Sequence, residues 1–167
     1  MCDVISSVAP SSGKALEIAS GTGQHIVTFA EAMPHLQWQP TEVDSERLAS
    51  IQAYADEAGL ANIAPPIAMN ATQKGWGVNV GPLQLVTLSN LLHLISEDET
   101  QTLISQAAIA LTPSGKLFLY GPFKRSGELI SAGDVRFDST IREFAPDTGY
   151  KDDAWIKEIT KQNGLIL

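Results

Sequence analysis

Along the 167 residues, short apolar runs alternate with segments of helical periodicity. Ala15-Leu16-Glu17-Ile18-Ala19 reads as a first strand, and Ser20-Gly21-Thr22-Gly23 as the turn that ends it. From Gln24 onward, Ile26, Phe29, Ala30 and Met33 recur at helical spacing until Pro34 stops the run. A second strand follows over 38–43. Asp44 or Ser45 is placed to cap the next helix, whose apolar positions are Leu48, Ile51, Ala55 and Ala58 and which Gly59 terminates. A third strand is expected near 66–69. The run 83–88 is nearly all apolar, as a central parallel strand should be. Ser96-Glu97-Asp98-Glu99 has the form of a capping box opening a helix to Leu111. Pro113-Ser114-Gly115 reads as a turn and 116–120 as a fifth strand. A last helix is expected over 152–163, with Trp155, Ile156 and Ile159 inward, and Leu165-Ile166-Leu167 begins a further strand.

Strands alternating with helices predict an α/β fold: a mostly parallel sheet with helices on both faces. Residues 1–167 read as a single domain, with no internal repeat, low-complexity tract or linker. No apolar run is long enough to cross a bilayer and no signal pattern opens the chain, so a cytoplasmic location is expected. Cys2 is the single cysteine, and the three histidines are scattered without metal-ligand spacing, so no metal is expected. The formal net charge of -8 disfavours a phosphate backbone as partner. A small-molecule substrate is expected, with neither nucleic acid nor membrane as partner.

The glycine turn is the strongest chemical signal. It lies at the carboxyl end of a first parallel strand, where ligands bind in open α/β sheets. A dinucleotide fingerprint needs a third glycine three residues after Gly23, but position 26 is Ile, which weakens a nicotinamide-dependent oxidoreductase reading. No Lys-Ser/Thr pair follows the glycines, so this is not a nucleotide phosphate loop. An acid near the strand end, Glu17, with Ala19, Gly21 and Gly23, resembles the arrangement used for S-adenosylmethionine, a ligand with no phosphate to cradle. Glu42 lies roughly 20 residues on, where a ribose-binding acid belongs. Asp44 competes for that role but is better used as a helix cap. Asn70, after the third strand, offers a side-chain carbonyl to an adenine amino group, and Ala71 a backbone N–H to the ring. Asn70 read alone is a plain turn residue.

The block Glu17-Ile18-Ala19-Ser20-Gly21-Thr22-Gly23-Gln24-His25 resembles the opening motif of the methyltransferase-like 26 family, within the class I S-adenosylmethionine-dependent methyltransferases. The similarity continues through Trp38-Gln39-Pro40-Thr41-Glu42-Val43-Asp44, Asn90-Leu91-Leu92-His93 and Tyr120-Gly121-Pro122-Phe123. It is traceable again at Phe137-Asp138 and Arg142. The resemblance implies a Rossmann-like class I methyltransferase fold and S-adenosylmethionine as cofactor, and leaves the methyl acceptor unassigned. Three departures stand out. Asn70 replaces the family's Asp. The family's Trp-Gly-hydrophobic-Arg-Asp segment reads here Thr148-Gly149-Tyr150-Lys151-Asp152. The N-terminal helical segment and the C-terminal strand pair look curtailed, which leaves an exposed sheet edge open to pairing with a second copy.

The acceptor is expected over the ends of the fourth and fifth strands. His93 is the catalytic base candidate, because an imidazole titrates near neutral pH. It also reads as a residue that caps or lines a helix start. Asn90 is placed to orient an acceptor, and His25 to help with the methionine moiety. Tyr120, Phe123 and Arg142 are the substrate-binding candidates, although Asp138 and Arg142 also fit a surface ion pair at helical spacing. A second expectation is a non-catalytic relic of the fold that binds a cofactor or a partner.

Overall fold

The computed structural model describes residues 1–166. Its centre is a five-stranded sheet in the order β3-β2-β1-β4-β5, built from β1 (Gly13–Ile18), β2 (Leu36–Glu42), β3 (Ile67–Ala68), β4 (Leu83–Ser89) and β5 (Leu111–Tyr120). Every neighbouring pair is parallel. The strand order reverses between β1 and β4, which opens a crevice at their carboxyl ends.

Both faces of the sheet are covered, because β1 and β4 bury alternate residues on opposite sides. Ala15, Leu85 and Trp38 pack with Ile5 of α1 (Cys2–Val8), with Ile26, Phe29 and Ala30 of α2 (Gln24–Ala32) and with Ile51 of α3 (Ser45–Ala58). On the other face, Leu16, Ile18, Val86 and Leu88 meet Trp76 of α4 (Trp76–Val80) and Leu103, Ile104 and Ala107 of α5 (Glu97–Ala110). Downstream lie β6 (Phe123–Lys124), α6 (Ala132–Phe144), β7 (Lys151–Asp152) and α7 (Asp153–Gln162). Ile156 and Ile159 of α7 join the second cluster. β6 and β7 pair in parallel as a separate two-stranded ribbon.

Local signals act where the sequence places them. Asp44 Oδ1 accepts from the N–H groups of Glu46 and Arg47, which caps α3, and Gly59 closes that helix at φ 62°. Ser96 and Glu99 form a reciprocal capping box at α5. Two elements lie outside the sequence expectations, α1 before the first strand and the short α4 after the third, and neither is long enough to show a helical period. Two expectations are corrected. Pro113-Ser114-Gly115 is a bulge within β5: Leu111 pairs with Leu83 but Lys116 with Leu85, so the intervening residues loop out of register. Leu165 and Ile166 form no strand, and Leu167 lies outside the described residues.

Candidate active site

Segments leaving the carboxyl ends of β1, β2, β3 and β4 surround a cleft of about 570 Å³, within the range of small-ligand sites. Ala19, Gly21, Glu42, Asn70, Ala71 and Asn90 all line it. Ala19 and Asn90 lie 71 positions apart in the sequence, and the sheet order brings these residues together.

The loop after β1 is fixed by backbone and hydroxyl bonds to β2. Ser20 N–H donates to the Thr41 carbonyl at 2.8 Å, and the Thr41 hydroxyl donates to the Glu17 carbonyl at 2.9 Å. Gly23 N–H closes the turn onto the Ser20 carbonyl at 3.1 Å. Ala19 takes a left-handed φ of 53°, a strained value for a non-glycine residue. Asn90, at φ 56°, does the same at the end of β4 and donates its N–H to the Tyr120 carbonyl at 2.8 Å. The two left-handed residues flank the crevice between β1 and β4.

Gly21 and Gly23 do different work. A Cβ on Gly21 meets nothing within 4 Å, so its backbone faces open cleft. A Cβ on Gly23 falls 2.8 Å from the Ile51 Cα, so this glycine lets α2 and α3 approach each other. Gly23 does not line the cleft.

Glu42 is buried, and both of its oxygens are engaged. Oε2 accepts from Gly21 N–H at 3.0 Å and Oε1 from Val43 N–H at 2.8 Å, with the Arg47 guanidinium 3.7 Å away. Glu17, only 2% exposed, does not line the cleft, and its buried Oε2 has no hydrogen-bond partner among the described residues. Burial raises its pKa to about 7, opposed by the Ser20 hydroxyl. A buried carboxyl without a partner is the kind of group that ordered water or a bound molecule completes. Asn70 Oδ1 accepts from the Thr72 N–H and hydroxyl at 2.9 and 2.8 Å. The carbonyl expected to read a purine amino group is therefore engaged in a turn, and the side-chain amide is the group left over.

His93 does not line the cleft. It is buried on a 3-10 turn over Leu92–Leu94, with its ring 5.7 Å from Phe137 and 6.0 Å from Tyr150. Its Nδ1 has no partner among the described residues. Burial and then the nearby Lys151 charge lower its pKa. The ring is thus part of the packing under α6, which the apolar neighbours in Leu91-Leu92-His93-Leu94 favour. Tyr120 is half exposed at the end of β5, and Phe123 packs against the α5–α7 core. Arg142 is paired through Nε with Asp138 Oδ2 at 2.9 Å. None of these three lines the cleft. Asp138 is buried, and its Oδ1 also accepts from Tyr150 N–H. Burial pushes the Asp138 carboxyl up, but the Tyr150 N–H and Arg142 outweigh it and hold the pKa below the usual range.

The cleft has walls that the sequence reading did not select: Arg47, Met69, Thr72, Leu91, Leu94 and Ile95. His25, on the first turn of α2, is the imidazole that does line it, and its ring stacks on Phe29 at 5.9 Å. Its place right after the glycines was the legible signal for it.

The parallel β3-β2-β1-β4-β5 sheet, with a glycine loop leading into the first helix of the unit, is the Rossmann-like class I methyltransferase fold. The chain belongs to the family described as a protein of unknown function (DUF938), which matches residues 1–167. It is similar to an O-methyltransferase family protein from Burkholderia thailandensis, with a TM-score of 0.85 at 19% identity over 99% of this chain and 50% of that one. It is also similar to the cyclopropane synthase MmaA2 from Mycobacterium tuberculosis, with a TM-score of 0.77 at 17% identity over 99% of this chain and 60% of that one. A third similar structure is CalO1, a methyltransferase in calicheamicin biosynthesis, in its S-adenosylhomocysteine-bound form. It gives a TM-score of 0.74 at 14% identity over 98% of this chain and 47% of that one. The chain spans about half the length of the first and third of these proteins. No helix among the described residues is long and apolar enough to cross a membrane.

Proposed function

We propose that the cleft binds S-adenosylmethionine and that the protein is a methyltransferase acting on a small-molecule acceptor. The observation that carries this reading is the pairing of the open loop at Gly21 with two buried carboxyls, Glu42 anchored to that loop and Glu17 orphaned beside it. The residues fit the ligand. Glu42 lines the cleft as a carboxylate with about four acceptor positions, of which its two recorded N–H bonds use only part. It would take the ribose hydroxyls. Gly21 would let the ligand approach the backbone, and the Ala71 backbone with the Asn70 amide would meet the adenine edge. Glu17 Oε2 would receive the ammonium of the methionine moiety, directly or through water.

When bound, the cofactor supplies a methyl group activated by a sulfonium, so the protein's part is orientation and proton handling. Asn90, held in its left-handed conformation at the cleft, would orient the acceptor. His25 is the cleft imidazole available to hold a proton. The resemblance to methyltransferase-like 26 proteins, carried by the glycine block and by Tyr120-Gly121-Pro122-Phe123, supports the same reading.

A second reading is favoured by one observation: the expected base, His93, is packed away from the cleft. A domain that binds cofactor without turning it over would look like this. Calorimetric titration with S-adenosylmethionine, S-adenosylhomocysteine and NAD tests the proposal. Micromolar binding of the first two, without NAD, is expected. NAD binding alone, or no binding at all, would overturn it. Cofactor binding with no methyl transfer to a panel of phenols, amines and carboxylates would favour the second reading.

A further inference from the structure

We infer that Lys151 is a positioning residue for the cofactor cleft, acting through the main chain of the loop after β4; the inference rests on the cofactor reading above. Lys151 is 3% exposed. Its Nζ donates to the carbonyl of Ile95 at 2.6 Å and to the carbonyl of Gly149 at 2.9 Å. Ile95 is a wall residue of the cleft, together with Leu91 and Leu94 of the same loop. A second clip joins the same two segments, where Gly149 N–H donates to the His93 carbonyl at 2.9 Å. Residues 149–151 thus grip the loop from behind, at the middle of its 3-10 turn and just past its end.

A buried ammonium needs a reason. Burying one without an ion-pair partner is costly, and no carboxylate oxygen among the described residues lies within ion-pair distance of Nζ. Burial lowers its pKa, opposed by the more distant charges of Glu97, Asp138 and Glu99. What the group does is satisfy two buried carbonyls from opposite segments with one rotatable donor. An apolar residue in its place leaves both carbonyls unpaired, and the Ile95 carbonyl then has no tether to β7. The loop it tethers carries the cleft's apolar wall and leads back to Asn90. A shift of that wall changes ligand affinity without any change in a residue that touches the ligand.

The test compares K151M, which removes the donor at similar length, with K151R, which keeps a cationic donor, and with I159A in α7 as a stability control. The readouts are hydrogen exchange of the amides of 91–95 in the unliganded protein and calorimetric affinity for S-adenosylhomocysteine. K151M is expected to raise exchange in 91–95 selectively and to weaken S-adenosylhomocysteine by about tenfold. K151R restores both to near the parent, and I159A lowers Tm while changing neither. Unchanged exchange in 91–95 in K151M overturns the inference, and so does a loss of affinity that I159A shares. If the parent protein binds no S-adenosylhomocysteine, the cofactor reading fails, and the exchange arm alone decides the role of Lys151. K151Q, a shorter neutral donor, serves as the second variant, with an intermediate effect expected. Failure of both K151M and K151Q to fold would make the lysine a fold determinant and overturn its positioning role.

Discussion

Glu42 Oε2 accepts the N–H of Gly21 at 3.0 Å, so the acid at the end of β2 sets the height of the glycine loop after β1. One carboxylate therefore serves the architecture and, in the proposed function, the ligand. Replacing it separates the two roles. E42Q keeps an acceptor for the Gly21 N–H but loses the charge, whereas E42A loses both. E42A should weaken S-adenosylhomocysteine by about 1.5–3 kcal/mol for each ribose hydroxyl that loses a charged partner, with E42Q between it and the parent. Calorimetry reads the affinity. Equal affinity in all three proteins removes Glu42 from the ligand site.

The two loop glycines make opposite predictions. Alanine at Gly23 meets the Ile51 main chain at 2.8 Å and must hold φ 100°. This combination of overpacking and backbone strain should cost about 2–4 kcal/mol, visible as a fall in Tm. Alanine at Gly21 meets no neighbour, and φ 60° is the milder left-handed region. G21A should cost only about 1–2 kcal/mol, yet it places a methyl in the cleft and should weaken S-adenosylhomocysteine. A G21A protein that binds as tightly as the parent would show that no ligand approaches this backbone.

Asp138 anchors α6. Its carboxylate receives the buried Tyr150 N–H as well as the Arg142 side chain. D138A leaves that N–H unpaired and should cost about 1–3 kcal/mol. R142A removes a partly exposed i,i+4 pair and should cost less than about 1 kcal/mol. Urea denaturation of the two variants measures the difference. Equal losses would mean that the ion pair, and not the buried amide, carries the anchor.

The sheet and its helices were largely legible because their signals are local. The apolar run 83–88, the Ser96–Glu99 capping box and the Asp44 cap each depend on a few adjacent residues. The cleft residues that follow strand ends were legible for a related reason: in a parallel α/β sheet, strand-end positions converge whatever the rest of the chain does. His93 escaped because which way a side chain faces on a single 3-10 turn depends on α6, whose Phe137 lies 44 residues downstream. Phe123 escaped for the same reason, since its partners lie in α5 and α7, whereas the Asp138–Arg142 pair, set by helical spacing alone, was legible. The bulge at 112–115 reads as a turn in sequence, because proline and glycine mark a backbone break without saying whether the strand resumes on the same line.

Glu17 makes the last prediction, and it concerns pH. Its ordinary carboxyl pKa of 4.5 rises to about 7 in the folded chain, chiefly through burial. The folded state then holds a proton that the unfolded state has already released, so stability falls as pH rises through this window. The contribution is fully present below 4.5 and is lost by the time pH passes 7. A shift of this size corresponds to about 3 kcal/mol. E17Q, neutral at every pH, lacks this loss. It should match the parent near pH 4.5 and exceed it at pH 8, with urea midpoints at the two values as the measurement. The same substitution should leave the Glu42–Gly21 bond intact, since the two carboxyls share no hydrogen bond. It should also weaken S-adenosylhomocysteine, if the ammonium of that ligand is what completes Glu17 Oε2. A gain in stability without a loss of affinity would make Glu17 a strained structural acid. A loss of affinity together with the gain would show stability given up for ligand binding at this position.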